Sequence, residues 1–218
     1  MRNFFLLFVL FICNPVNAQK YTFNTLAKYS SSFENIKNEG VTYTNSEDDS
    51  YFLRIRKDKS SLTASLFDYK NLKLHTFLVW ETKVNGEIVF HYDYQSTSNI
   101  NYFNKKDYSK YVFVFETLES NDSINKVNLK VYGSSKKKNP LRNYDLQIKN
   151  HKKNLFPVFR IHCMHPYGFL ESLNNFKTGV VLNAQGNTLS GKLIEFKLEE
   201  LKDVNFIIFI PKQKKEIY

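Results

Sequence analysis

The sequence predicts a mainly β protein, an antiparallel sandwich or half-open barrel carrying one or two short helices. Three observations predict it. Short segments alternate apolar and polar residues with period two, the pattern of a strand with one face on a core. Clusters of Asn, Asp, Ser, Lys and Gly punctuate those segments at short intervals. The long amphipathic helices that alternate with strands around a parallel sheet are missing from the pattern.

The first residues read differently from the rest. Arg2 gives a short basic start, Phe4 to Cys13 form an unbroken apolar run, and Asn14-Pro15 then breaks it ahead of Val16-Asn17-Ala18. This is the order of a secretory leader with cleavage after Ala18, so residues 1–18 are expected to be a signal peptide. The run is too short for the roughly 20 apolar residues that cross a bilayer, and no transmembrane segment is expected after leader removal. Residues 19–218 are then expected to form a single β-rich domain, exported to the periplasm, the cell envelope or the medium. Cys13 would leave with the leader, which makes Cys163 the sole thiol and excludes an internal disulfide.

Along the exported part, strands are expected near 21–29, 40–46, 51–55 and 62–68. Leu72, Leu74, Thr76, Leu78 and Trp80 line one face of the next, and Ile88, Phe90, Tyr92 and Tyr94 line its successor. Asn85-Gly86 between them supplies the positive φ of a tight hairpin. Further strands are expected at 111–118, 126–132, 142–149, 155–163, 178–183, 190–198 and 204–210. A helix is expected from Pro166 through Phe169, Leu170 and Leu173 to Phe176, and a second, shorter one over 198–203 (LEELKD). The Gly133 to Pro140 stretch, with Lys136-Lys137-Lys138, reads as an exposed basic loop.

The formal charge is +10, from 31 Lys and Arg against 21 Asp and Glu. Only Arg2, Arg54, Arg56, Arg142 and Arg160 are arginines, so the planar fork that reads bases and phosphates is scarce. Nucleic acid is therefore not an expected partner. Lipid, glycan or an envelope protein is.

Candidate sites are few. Tyr92, Tyr94, Tyr102 and Phe103 head an aromatic series that offers broad apolar contact with polar handles, suited to an apolar or amphipathic ligand on a sheet face. His162-Cys163-Met164-His165 is the densest cluster of soft ligands. Read as a strand it sends Cys163 and His165 to one side, which makes those two the candidate metal ligands. His91 and Asp93 share a strand face, a spacing in which a carboxylate orients an imidazole. Glu47-Asp48-Asp49 lacks the spaced oxygens and glycine of a calcium loop. No Gly-x-Ser-x-Gly elbow, His-Glu-x-x-His helix or Gly-rich phosphate loop accompanies them, so neither a catalytic residue nor a cofactor is assigned.

The leader ending Val16-Asn17-Ala18-Gln19, followed by Tyr21-Thr22-Phe23-Asn24-Thr25 and Asn45-Ser46-Glu47-Asp48-Asp49-Ser50-Tyr51, looks like exported β-rich proteins of Bacteroidota. That resemblance implies an envelope or secreted location and carries over no functional residue. Half-open barrels of the lipoprotein-carrier type are the fold-level analogy. The expected function is non-enzymatic binding of an apolar or amphipathic ligand, or of a partner, on a sheet face. A metal-dependent or histidine-based hydrolase and a structural or adhesion component are the alternatives.

Overall fold

The computed structural model describes residues 18–34, 36–57, 61–100, 110–164, 178–187 and 190–211. They form one antiparallel sheet of eleven strands and a single short helix. In chain order the elements are β1 (Gln19–Phe33), β2 (Ile36–Thr44), β3 (Tyr51–Lys57), β4 (Leu62–Asp68), β5 (Lys73–Val84), β6 (Glu87–Asn99), β7 (Val112–Ser120), β8 (Ile124–Tyr132), β9 (Arg142–Lys149), α1 (Phe156–Cys163), β10 (Val180–Asn187) and β11 (Leu193–Ile210). Across the sheet the order is β6-β5-β4-β3-β2-β1-β11-β10-β9-β8-β7. Sequential strands thus run as two meanders, and the first and last strands pair in the middle.

The period-two reading holds where it was clearest. In β1 Tyr21, Phe23, Thr25, Ala27 and Tyr29 are buried while the residues between them are half-exposed. Asn85 and Gly86 take φ of 51° and 89°, the mirror-image turn that joins β5 to β6.

Two apolar clusters hold the sheet. Ala27 and Tyr29 pack with α1 and with β8 to β11, through Leu129, Ile148, Phe159 and Val181. Leu26, one residue away, packs with Tyr43, Leu53, Leu66 and Phe77. Successive side chains of a strand point to opposite faces, so at β1 and β2 the sheet is covered on both sides. Tyr92 on β6 stands 5.1 Å from Phe206 on β11, ring to ring, although five strands separate them in the sheet. That part of the sheet therefore rolls up until its limits meet through side chains, and among the described residues no strand pairing closes it. This is a half-open barrel rather than a sandwich.

Three local expectations fail. Residues 155–163 do not form a strand. Phe156 to Cys163 are helical, with Pro157 in the first turn and Phe156, Val158, Phe159, Arg160, Ile161 and Cys163 all buried. A short apolar run buried on nearly every side shows no period, and length alone did not separate strand from helix. Residues 198–203 are strand, not helix, because β1 pairs with β11 from Ile194 to Ile210. Helix-forming Leu, Glu and Lys yield there to main-chain pairing with a neighbour. For the same reason the strands expected at 190–198 and 204–210 are one, eighteen residues long. The helix expected from Pro166 lies outside the described residues.

Candidate binding groove

A concavity of about 810 Å³ lies on the face of the sheet opposite α1. Its floor is the polar half of the alternation. Ser30 and Ser32 come from β1, Lys37 and Glu39 from β2, Glu195, Lys197 and Glu199 from β11, Asn183 and Gln185 from β10, Asp145 and Gln147 from β9, and Lys126 from β8. Register places them in rows: Ser30 opposes Lys197, Lys197 opposes Asn183, Asn183 opposes Gln147, and Gln147 opposes Lys126. Beneath them Val127, Leu146, Ala184 and Phe196 belong to the buried cluster.

The rows are bonded sideways. Asn183 Nδ2 donates to Gln147 Oε1 at 2.8 Å, and Gln185 Nε2 donates to Glu195 Oε1 at 3.3 Å. Ser30 Oγ donates to Glu199 Oε1 at 2.7 Å, while Lys197 Nζ lies 3.2 Å from the other oxygen. Asn128 Nδ2 donates to Asp145 Oδ1 at 2.6 Å, and Lys28 Nζ pairs with Glu39 at 2.6 Å. The Ser30 hydroxyl, followed by Lys197, holds the Glu199 carboxyl below the usual carboxylate range. The four lining carboxylates, Glu39, Asp145, Glu195 and Glu199, are all engaged. What remains for a ligand is a lattice of oriented donors and acceptors without strong net charge.

Of the sequence-predicted residues, Tyr92, Tyr94 and Cys163 do not line the groove. Tyr92 and Tyr94 project into the rolled part of the sheet, edge-on to Phe77 at 6.4 and 6.0 Å. Burial and the nearby Tyr43 hydroxyl raise the Tyr92 hydroxyl far above its ordinary range. Tyr102, Phe103 and His165 lie outside the described residues. Cys163 is buried under the sheet, and desolvation pushes its thiol well up.

Because the segment is a helix, the strand argument that set Cys163 apart from His162 does not apply. His162 shares a 2.7 Å hydrogen bond between Nδ1 and Thr42 Oγ1, and its ring abuts Gly40 closely enough to leave no room for a Cβ. Burial, then the cationic Arg54, drive its pKa down to about 3, so it is a neutral packing group at pH 7. Arg54 Nη2 donates to Ile161 O at 2.7 Å and so satisfies a carbonyl in the last turn of α1.

His91 stacks on Trp80 at 5.5 Å and bonds Thr82 Oγ1 through Nε2 at 2.7 Å, whereas Asp93 accepts from Gln95 at 2.9 Å. Among the described residues no three His, Cys, Asp or Glu side chains gather as a metal site would require. Asp48 accepts from Ser50 N within its own turn, and Asp49 pairs with Arg160 at 2.6 Å.

Sequence reasoning passed over the groove because its residues look like ordinary solvent-side polar positions. One signal was present. Asn128, Asp145 and Asn183 sit inside strands, where Asn and Asp are depleted, and all three fall on one face.

No helix among the described residues is long and apolar enough to cross a membrane. No protein-family model matches the chain, and no curated protein matches it. Among solved structures, the chain is similar to MucB in complex with MucA(peri), with 9% identity and a TM-score of 0.27 over 83% of this chain; it spans 50% of that chain. It is also similar to a DUF1329 family protein from Desulfovibrio piger ATCC 29098, with 7% identity and a TM-score of 0.23 over 86% of each chain.

Proposed function

We propose that this chain is an exported, non-catalytic binding protein that holds a neutral, hydroxyl-rich ligand, a glycan in chemical class, in the groove opposite α1. The observation that carries this reading is the row of side-chain amides, hydroxyls and engaged carboxylates running from β2 to β8. Planar amide and carboxylate groups offer paired donors and acceptors, which suit adjacent hydroxyls. At β1, β10, β9 and β8 the strands under the groove are paired on both sides, so their main-chain groups are spent there and recognition falls to side chains. The fixed side-chain hydrogen bonds along these rows favour a hydroxyl-rich ligand over a lipid tail. Export rests on the leader read at Arg2, Phe4 to Cys13 and Ala18.

Calorimetry of the exported chain against a panel of neutral and acidic oligosaccharides tests the reading. A neutral member is expected to bind, and the Asn183→Ala/Gln147→Ala double variant to weaken it at least about tenfold, roughly 1.4 kcal/mol, without altering the melting temperature. No binding across the panel, or undiminished binding by the double variant, overturns it.

A further inference from the structure

The two outermost strands of the sheet are not equivalent. β7, at one end, is protected in the usual ways: its register shifts between Thr117 and Glu119, and Glu116 and Glu119 are paired with Lys130 and Lys126. β6, at the other end, pairs with β5 without a break from Glu87 to Tyr94 and shifts register only beyond it, between Tyr94 and Ser96. Over Val89–Tyr94 it carries no proline, lysine or arginine.

The turn fixes which of its main-chain groups are free. A two-residue turn with both φ positive makes Val84 and Glu87 a hydrogen-bonded pair. Bonded and non-bonded pairs alternate from there, so Thr82/Val89, Trp80/His91 and Leu78/Asp93 are bonded while Glu81/Phe90 and Val79/Tyr92 are not. The N–H and C=O of Phe90 and Tyr92 therefore point away from β5, and among the described residues no main-chain group meets them. Beside this edge the outer face is apolar and exposed: Leu78, Trp80 and Val84 on β5, and Val89 on β6. Trp80 is the sole tryptophan of the chain.

We propose that β6 is a docking edge, to which an extended, basic segment of a partner polypeptide adds as a further antiparallel strand. Only another strand supplies donors and acceptors at the spacing that Phe90 and Tyr92 present. Alternate apolar side chains of that strand would cover the Trp80 and Val89 face. Charge selects the partner. The one carboxylate over Val89–Tyr94 is that of the exposed Asp93, whose bonded neighbour is Gln95 rather than a cation. A second copy presenting its own β6 brings another Asp93, so a lysine- or arginine-bearing strand fits better. This edge lies outside the groove and is independent of the glycan reading.

The probe is an acetylated octapeptide of alternating valine and threonine with one central lysine, added to the full exported chain. Saturable change in Trp80 fluorescence is expected, together with slowing of amide exchange at Phe90 and Tyr92 by about tenfold or more. N-methylation of the probe amides that face β6 is expected to abolish binding, and N-methylation of the alternate set to preserve it. Asp93→Lys is expected to reverse the preference, favouring a probe with glutamate at the centre. Absence of saturable binding, equal binding of the two methylated probes, or protection elsewhere than β6 overturns the proposal. So does self-association of the chain alone that protects the same two amides, which would make the occupant a second copy.

Discussion

Tyr21 on β1 donates its hydroxyl to Asp68 Oδ2 on β4 at 2.5 Å, across the two strands that separate them in the sheet. The bond spans the interior of the rolled portion. Asp68 also accepts from Gln19 Nε2 at 3.1 Å and from Asn71 twice, at 2.9 and 2.7 Å. His75 Nε2 lies 3.3 Å from the same tyrosine oxygen, and its Nδ1 bonds Thr97 Oγ1 at 2.6 Å. Tyr21, Asp68 and His75 are all buried. Burial raises the Asp68 pKa, but the bonds from Tyr21, Asn71 and Gln19 outweigh it and hold the carboxyl below its ordinary value. This network ties β1 to β4 and β5.

Tyr21→Phe removes one donor to that buried carboxylate, and is expected to cost about 1.5–3 kcal/mol, the usual range for a bond to a charged group. Urea unfolding at pH 7 checks it. The midpoint should fall with the slope unchanged, because the change weakens a native contact without altering the surface exposed on unfolding. An unchanged midpoint would mean that the roll is held by ring packing alone.

Most of the strands were legible in the sequence because apolar and polar residues alternate along them, whereas the roll and the order of the strands were not. Tyr21 to Tyr29 alternate cleanly, and Asn85-Gly86 announces its turn. Phe156 to Cys163 were not legible, since a helix buried nearly all round has no polar stripe to reveal its period. Nor was the Tyr21–Asp68–His75 network, whose members lie 47 and 54 residues apart in pairs and signal nothing locally. The groove was half visible: its polar residues were identifiable as solvent-side, but only the pairing of β1 with β11 brings Ser30 beside Lys197 and Glu199.

Stability is expected to fall as acidity rises below about pH 6.5. His162 has a folded pKa of about 3, held down by burial and by Arg54, against an ordinary imidazole value near 6.5. A depressed folded value means that the neutral ring is favoured in the fold. Its contribution is therefore complete above pH 6.5 and is lost progressively down to about pH 3, with a slope of up to about 1.4 kcal/mol per pH unit. His75, also lowered by burial, acts in the same direction. His162→Gln keeps a bonding partner for Thr42 without a titrating ring. Its unfolding free energy should change less than that of the wild type between pH 7 and pH 4.5, by chemical denaturation at both values.

Arg160 is 1% exposed and pairs with the half-buried Asp49 at 2.6 Å, joining α1 to the turn before β3. Removing one partner of such a pair leaves a charge in an apolar setting, whereas removing both leaves none. Asp49→Ala is expected to destabilise by about 2–4 kcal/mol. Adding Arg160→Met in that background should recover a substantial part of the loss. Thermal or urea melts of the two single variants and the double variant decide it. Additive losses would show that Arg160 acts through packing and its other contacts rather than through Asp49.

Gly186 on β10 opposes Tyr144 on β9, and the tyrosine ring lies flat against the space that a side chain would occupy. A Cβ built at Gly186 falls 2.4 Å from Tyr144 Cδ1 and 2.7 Å from Asn143 O, and the second of these is main chain that cannot swing aside. Tyr144 is itself buried and takes a 3.0 Å bond from Arg142 at its hydroxyl, so the ring has no easy retreat. Gly186→Ala is therefore expected to cost about 1–3 kcal/mol by overpacking. Gly86, with φ of 89° and open space around its Cα, is the internal comparison: alanine there strains the turn but meets no neighbour. Since Gly186 lies next to Gln185 in the groove floor, Gly186→Ala should also weaken ligand binding, and Gly86→Ala should not. Paired melts and titrations of the two variants test this. Equal effects on binding would mean that the geometry of β10 does not set the groove.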